Sequence, residues 1–304
     1  MHFRKLDLNL LVALDALIRK QNVSMAAEEL HLSQSAMSSS LSRLRRYFDD
    51  DLLIQAGRKM VLSPLAEQLE EPIRDILVKI DASIMLKPGF DPNTSDREFR
   101  ICVSDYIMQT LIPYVIEMTQ ERGFTVKLNF LPQVSDPKNE LDRGKADLLI
   151  LPEVFCSDYH LSEPLITDEF ACVVWDQSDL AKGQMTLETF MSSGHICMQP
   201  PNSNPSFETL SYESQGISRR VDVRTFSFSC IPNLLVGTNL IATLQKRLID
   251  KSIRQGVALK SLPTPVDLPT LRESMQWHKY QNADFGMIWL RGVFKEAVTR
   301  LCNE

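Results

Sequence analysis

The chain has 304 residues, a formal net charge of −6, 44% hydrophobic and 24% charged residues. This is roughly twice a usual domain length, so two or three domains with sizeable cores are expected from an ordinary globular composition. No run of about 18 apolar residues offers a membrane span, and MHFRKLDLNLLVALDAL mixes charge with apolar positions as no export signal does, so the chain reads as cytoplasmic, unprocessed and free of membrane contact.

Residues 1–62 carry nine Lys/Arg against seven Asp/Glu, and the remainder 24 against 32. A mildly basic head on an acidic body predicts that only the head meets a polyanion. In LDLNLLVALDALIRKQN, Leu6, Leu8, Leu10, Leu11, Leu14, Leu17 and Ile18 recur at helical spacing and predict a first helix. Ser24 is the expected N-cap of MAAEELH, and Ser33 that of QSAMSSSLSRLRRYF. Ala26 and Ala27 are small enough to let the two helices cross closely.

In the second of these helices Ala36, Met37, Leu41, Leu44 and Phe48 are expected to face inward. Ser33, Gln34, Ser35, Ser38, Ser39, Ser42, Arg43 and Arg46 remain for the cap and the outer faces. Serine is a mediocre helix former, so this run is not there for helix stability. Short side chains permit close approach to a major groove, where Gln and Arg read base edges. The plain alternative is a solvated polar face without a partner. LLIQAGRKMVLS then alternates apolar and polar residues around Gly57, which predicts a hairpin whose Arg58 and Lys59 form a basic tip able to touch phosphate or minor groove.

Ser63-Pro64 is a cap followed by proline in the first helical turn. Leu65, Leu69, Ile73, Ile76, Leu77, Ile80 and Ile84 continue at spacings of three and four despite Pro72. This apolar stripe needs cover, either from its own domain or, preferentially, from the same helix of a second copy.

These residues resemble the N-terminus of LysR-type transcriptional regulators. The likeness rests on the helix, the AAEELHLSQSAMS turn region, LxRLR, DxLL, G-R and the S-P that opens the long helix. FDPNTSDREFRICVSDY and SMQWHKYQNADFGMIWLR extend it over the whole chain, toward a branch containing regulators of nodulation and of nitroaromatic, chlorophenol and chlorohydroquinone degradation. The resemblance implies a winged helix-turn-helix domain (1–62), a linker and dimerisation helix (63–89) and a two-lobed α/β effector domain (90–304) like type 2 periplasmic binding proteins. It implies promoter DNA, a small aromatic inducer, RNA polymerase and further copies of the chain, as dimer or tetramer, as partners, with no cofactor. Gln34, Ser35, Ser38 and Arg43 match the groove-facing part of the recognition helix, and Arg58 or Lys59 the wing. Ser35 stands where family members often have proline.

FDPNTSD separates the body from the head. REFRICVS, TVKLNFLP and ADLLILP read as strands, with YIMQTLIPYVIEMTQER and DPKNELDRG as helices between them. EFACVVWD, HICMQ and NLIATL with helical SFETLSYESQG and QKRLIDKS make a second lobe (about 167–269), and RESMQWH and ADFGMIWLRGVFKEAVTRLC return to the first (about 97–166 and 270–304). Ser104, Asp105 and Tyr106 at a strand end either orient a small polar aromatic or merely cap a turn. By resemblance the inducer positions fall on Ser104, Glu169, Asn204, Phe226, Ile231 and His278. Glu169 replaces a histidine of the salicylate-type regulators, so a carboxylate inducer is disfavoured by like charge and a neutral phenol or hydroquinone fits better. His278 either lines the cleft or is a structural histidine.

The first reading is therefore an activator of aromatic-degradation genes, and the alternative a flavonoid-responsive nodulation regulator. No GxSxG, GxGxxG, GxxxxGK or HExxH is present, which argues against an enzyme. A solute carrier would lack the winged head, and an architectural DNA protein the acidic body. Six cysteines show no CxxC spacing, and five histidines no HxxxH. Most of the cysteines read as buried apolar side chains, with Cys197 and Cys230 open as a redox pair, and no metal site is expected.

Overall fold

The computed structural model describes residues 6–57, 59–85, 89–133, 136–200 and 205–303, which divide into two units, Met1–Leu86 and Lys87–Glu304. No helix among the described residues is long and apolar enough to cross a membrane.

The first unit is built on α1 (Asn9–Lys20), α2 (Val23–Glu29) and α3 (Gln34–Phe48). Leu10, Leu14 and Leu17 of α1 meet Ala26 and Ala27 of α2 and Met37, Leu41 and Leu44 of α3 in one core. Burying each large side chain contributes about 1.5–3 kcal/mol. Met37, Leu41 and Leu44 follow the four- and three-residue steps of a helix face, with Phe48 half-buried beyond them. Ala36, expected inside, is exposed, because one residue turns the helix about 100° away from Met37.

Helix α2 is capped by Asn22, not by Ser24 as expected. The Asn22 side chain accepts from the Ser24 and Met25 amides, and Ser24 already lies inside the first turn. Ser33 caps α3 through the Ala36 amide at 3.2 Å. Strands β1 (Leu53–Ala56) and β2 (Lys59–Leu62) pair antiparallel as the expected hairpin, and Gly57 supplies the left-handed φ of +64° at its tip. Arg45 donates to the carbonyls of Asp51 and Leu53, both at 2.7 Å, and so ties the end of α3 to the start of the hairpin.

Ser63 caps α4 (Pro64–Met85) through the Ala66 amide and donates to Asp50. Ala66 and Ile73 of α4 are buried in the core with α1, and Leu69 and Leu77 pack against it. The first half of the long helix thus covers much of its stripe on its own unit. Ile76, on the flank of this stripe, is exposed.

In the second unit β3 (Glu98–Val103), β4 (Lys127–Pro132), β5 (Leu148–Pro152), β6 (Leu161–Asp168) and β12 (Leu271–Trp277) form a five-stranded sheet in the order β4-β3-β5-β12-β6. β3 is parallel to β4 and β5, whereas the returning β12 runs antiparallel to β5 and β6. β5, central in this mixed sheet, is buried throughout.

The helical stretch from 106 to 122 is two helices, α5 (Asp105–Thr110) and α6 (Ile112–Glu121), instead of one. Pro113 has no N–H for the Gln109 carbonyl, which accepts from the Lys251 ammonium instead. α7 (Pro137–Asp142) and α12 (Phe285–Cys302) complete this lobe.

The second lobe holds β7 (Phe170–Trp175) between β10 (Ala242–Gln245) and β11 (Leu259–Leu262), and a parallel pair of β8 (Gly194–Met198) with β9 (Arg220–Thr225). A bridge from His195 to Ile241 joins β8 to the approach of β10. Helices α8 (Leu187–Ser192), α9 (Phe207–Ser214), α10 (Ile231–Leu235) and α11 (Lys246–Arg254) flank these strands. The chain crosses between lobes at Asp168–Phe170 and again between Leu262 and Leu271, and one apolar cluster runs through both lobes.

Candidate functional site

On α3 the residues Gln34, Ser35, Ser38, Ser39, Ser42, Arg43 and Arg46 are all exposed, as is Ser33 before it. Buried Met37, Leu41 and Leu44 hold the opposite side of the same helix in the core, so the small polar side chains and two arginines form one outward surface. Ser42 and Ser40 return their hydroxyls to the carbonyls of Ser38 and Ala36, which keeps these side chains short and close to the helix. Arg43 is about half exposed and makes a surface ion pair with Asp7 at 3.2 Å, an interaction of small worth. Lys59 is exposed at the start of β2; Arg58 lies outside the described residues.

The second unit carries a cleft between its lobes. Its inner part is a cavity of about 240 Å³. Leu149 and Leu151 come from the first lobe and Phe170, Met198 and Phe207 from the second. Phe170 and Phe207 present nearly parallel rings, 5.9 Å apart and inclined by 23°. Among these apolar walls stand Ser104, Glu208, Gln245 and Glu273. Few polar groups set in apolar walls are the usual composition of a small-molecule site. The cavity continues into a wider recess of about 860 Å³ bordered by Asp105, Met108, Phe130, Arg224 and Phe226.

The electrostatics of the inner cavity are set by burial. Glu273 is 4% exposed, and burial, reinforced by Asp168, pushes its carboxyl up to about 8. Burial also raises Glu208, against bonds from Ser206 and the field of Arg219. At the lobe crossing Asp168 accepts the Tyr106 hydroxyl at 2.7 Å, the Glu169 amide at 2.8 Å and the Arg247 amide at 3.2 Å. Burial raises the Asp168 carboxyl while these bonds oppose it, and burial pushes the Tyr106 phenol far up.

Of the expected effector residues the structure brings Ser104, Asp105 and Phe226 to this cleft. Ser104 also caps α5 through the Ile107 amide, so its two expected roles coincide. Asp105 accepts from the Ser227 hydroxyl at 2.6 Å and the Ser229 amide at 2.8 Å, joining the lobes across the recess. Phe226 is 89% exposed.

Four expected residues do not line the cleft. Tyr106 is turned inward to Asp168, and Ile231 is buried in the core. Glu169 is exposed and faces Lys246 at 3.6 Å, because it follows the buried Asp168 at the lobe crossing. His278 is 1% exposed, accepts from the Tyr280 amide and packs against the His160 ring at 4.7 Å. Asn204 lies outside the described residues.

Sequence reading missed Gln245, Glu208 and Glu273. The only sequence signal was a glutamate in step with the alternating apolar positions Leu271, Met275 and Trp277. It also missed that Asp142, His160 and His278, remote in sequence, bring their ligand-type atoms within 4.8 Å. His278 Nδ1 accepts the Tyr280 backbone N–H there, at 3.3 Å.

Residues 8–67 match the profile described as bacterial regulatory helix-turn-helix protein, lysR family, and residues 92–299 that of the LysR substrate binding domain. Nodulation protein D 2 of Rhizobium leguminosarum bv. phaseoli is 40% identical over 304 residues, covering 100% of this chain and 95% of that protein. Nodulation protein D 1 of Rhizobium meliloti is 37% identical over 302 residues, 99% of this chain and 98% of that one. Among solved structures, a probable transcriptional regulator from Pseudomonas aeruginosa superposes with a TM-score of 0.66 at 25% identity, covering 97% of this chain and 98% of that chain. Full-length OxyR from the same organism shares the fold at a TM-score of 0.71 and 16% identity, covering 96% and 94%. The chain belongs to the LysR family of DNA-binding transcription regulators, not to an enzyme family, with a helix-turn-helix head and a two-lobed α/β substrate-binding body.

Proposed function

We propose that this protein is a transcriptional activator of the nodulation-regulator kind. It reads promoter DNA with α3 and the β1–β2 wing and responds to a flavonoid-like aromatic inducer between the lobes. The observation that carries this reading is the end-to-end likeness to nodulation proteins D, 40% and 37% identical over nearly the whole chain. These relatives favour the nodulation alternative over control of aromatic-degradation genes, and an apolar cleft with stacked phenylalanines suits a flat polycyclic ligand.

In this account residues 1–62 bind DNA and 63–89 link and dimerise, leaving 90–304 to take the inducer. Ser33, Gln34, Ser35, Ser38, Ser39, Ser42, Arg43, Arg46, Arg58 and Lys59 face DNA, with phosphate contacts fixing register and the α3 side chains selecting sequence. Exposed Ile76 on α4 supports pairing of this helix with a second copy, as paired half-sites would require. In the cytoplasm, inducer binding favours one lobe arrangement by its differential affinity, changes the DNA contacts and lets RNA polymerase engage.

A thermal-shift screen of the full chain against flavonoids, phenols, chlorinated hydroquinones, nitrophenols and salicylate tests this. A ligand at about 100 times its Kd adds roughly 2.7 kcal/mol. Stabilisation by flavonoids is the expected result. Stabilisation by phenols or hydroquinones alone would return the aromatic-degradation reading.

A further inference from the structure

Glu273 and Gln245 enter the inner cavity from different lobes, Glu273 from β12 of the five-stranded sheet and Gln245 from the end of β10. Each residue is 4% exposed. Glu273 Oε2 and Gln245 Oε1 are both buried with no hydrogen-bond partner among the described residues. A buried unpaired polar oxygen costs about 1–3 kcal/mol, and two of them on one apolar cavity mark a place where a ligand completes the bonding. Among the described residues no Lys, Arg or His lines this inner cavity, whereas two carboxyl groups, Glu208 and Glu273, do; Arg219 pairs with Glu208 at 4.0 Å, and Arg224 borders the outer recess.

We infer that Glu273 and Gln245, one from each lobe, hold the effector between them by hydrogen bonds, and that this ligand is an uncharged hydroxylated aromatic and not a carboxylate. The inference rests on the cleft being the effector site. Gln245 Oε1 accepts from a ligand hydroxyl. Glu273, neutral at pH 7 because burial holds it up to about 8, donates to a ligand carbonyl or ether oxygen. A ligand anion would lose its hydration and meet two buried carboxyls, one of which, Glu208, already faces Arg219 at 4.0 Å. Because the two contacts belong to different lobes, the same ligand that satisfies them favours the lobe arrangement that brings them together.

Burial and Asp168 both act upward on Glu273, and Glu208 shares the cavity. Tyr106 and Cys156, both within its field, are themselves pushed up by burial first. Of the cations, Arg247 acts on Asp168 and Tyr106, and Arg219 on Glu208.

Calorimetric titration of the full chain tests the inference. The probes are flavone, a monohydroxyflavone, para-hydroxyacetophenone and para-hydroxybenzoate, at about pH 6.5, below the ordinary phenol range. We expect the hydroxyflavone and the ketone to bind, and the ketone at least about tenfold tighter than the near-isosteric benzoate. Glu273→Gln, which stays neutral and keeps a donor, should hold the hydroxyflavone within about threefold of wild type, while Glu273→Ala and Gln245→Leu each lose about tenfold. With flavone, which has no ionisable group, wild-type affinity should fall as pH rises through about 8 and that of Glu273→Gln should not. Equal affinity for ketone and benzoate, or unchanged hydroxyflavone binding by Glu273→Ala, overturns the inference and leaves the cleft as effector site. If no probe binds, or if binding survives the cavity-blocking Ser104→Trp, the effector-site reading falls and the inference with it.

Discussion

Replacing Asp168 by alanine strikes the crossing between the lobes. The carboxylate accepts three bonds, from the Tyr106 hydroxyl of α5 at 2.7 Å and from the Glu169 and Arg247 amides at 2.8 and 3.2 Å. Bonds to a charged acceptor contribute about 1.5–3 kcal/mol each, and a buried donor left without an acceptor costs about 1–3 kcal/mol. Tyr106 is 1% exposed, so its hydroxyl is buried where the carboxylate is removed, whereas the two amides are only partly buried. Removing the carboxylate also relieves the desolvation that raises its own pKa. The net expectation is a loss of about 2–4 kcal/mol, with the Tyr106 orphan as the largest part.

Urea unfolding of the full chain, followed by tryptophan fluorescence, measures it. Trp175, Trp277 and Trp289, the three tryptophans, all lie in the second unit, so the signal reports on that unit alone. Adding Tyr106→Phe to Asp168→Ala should restore about 1 kcal/mol by removing the orphaned hydroxyl, although Tyr106→Phe alone destabilises wild type by about 1–2 kcal/mol. A cost below about 0.5 kcal/mol for Asp168→Ala, or a further loss in the double variant, would refute the reasoning.

The Glu273 carboxyl is held near 8 in the fold against an ordinary 4.5, so the folded state binds the extra proton between these values and stability declines as pH rises across that window. Relative to Glu273→Gln, wild type should lose on the order of 4 kcal/mol from pH 4.5 to 8, and parallel curves in urea titrations would contradict the burial argument. Asn22→Ala should cost about 1 kcal/mol of the first unit's stability and Ser24→Ala close to nothing, read by far-ultraviolet circular dichroism; the reverse order would restore Ser24 as the cap. Gly286→Ala should destabilise by about 1–3 kcal/mol, because a Cβ there would stand 2.5 Å from the Arg97 guanidinium that pairs with Asp284; an unchanged unfolding midpoint would show that Arg97 moves aside freely.

The head was almost fully legible because its signals are local. Caps, helical spacing and a glycine at the hairpin tip act within a few residues, and Ser33, Ser63 and Gly57 sit where those rules put them. Asn22 was missed because asparagine and serine, two positions apart, are equally good caps and only backbone geometry chooses between them. In the body, β9 and β11 escaped because RVDVRT and LKSL are polar and short, and β6 because LSEPLITD contains a proline. The cleft was least legible, since its walls come from segments far apart in the chain. Like-charge exclusion of carboxylates was argued from Glu169, but that side chain is exposed beside Lys246, and Glu273 and Glu208 are the acids that line the inner cavity. A glutamate in step with alternating apolar residues carries no sign of which cavity it will face.

Selection of DNA from a random-sequence duplex pool, run in parallel on wild type and on the Gln34→Ala/Arg43→Ala variant, tests the central claim most directly. Both substituted side chains are exposed, and the variant leaves Met37, Leu41 and Leu44 in place, so the head keeps its core. Wild type should enrich one recurrent sequence, and the variant should retain only salt-sensitive, sequence-independent binding. Enrichment of the same sequence to the same extent by both proteins would contradict the claim that the outer face of α3 reads DNA.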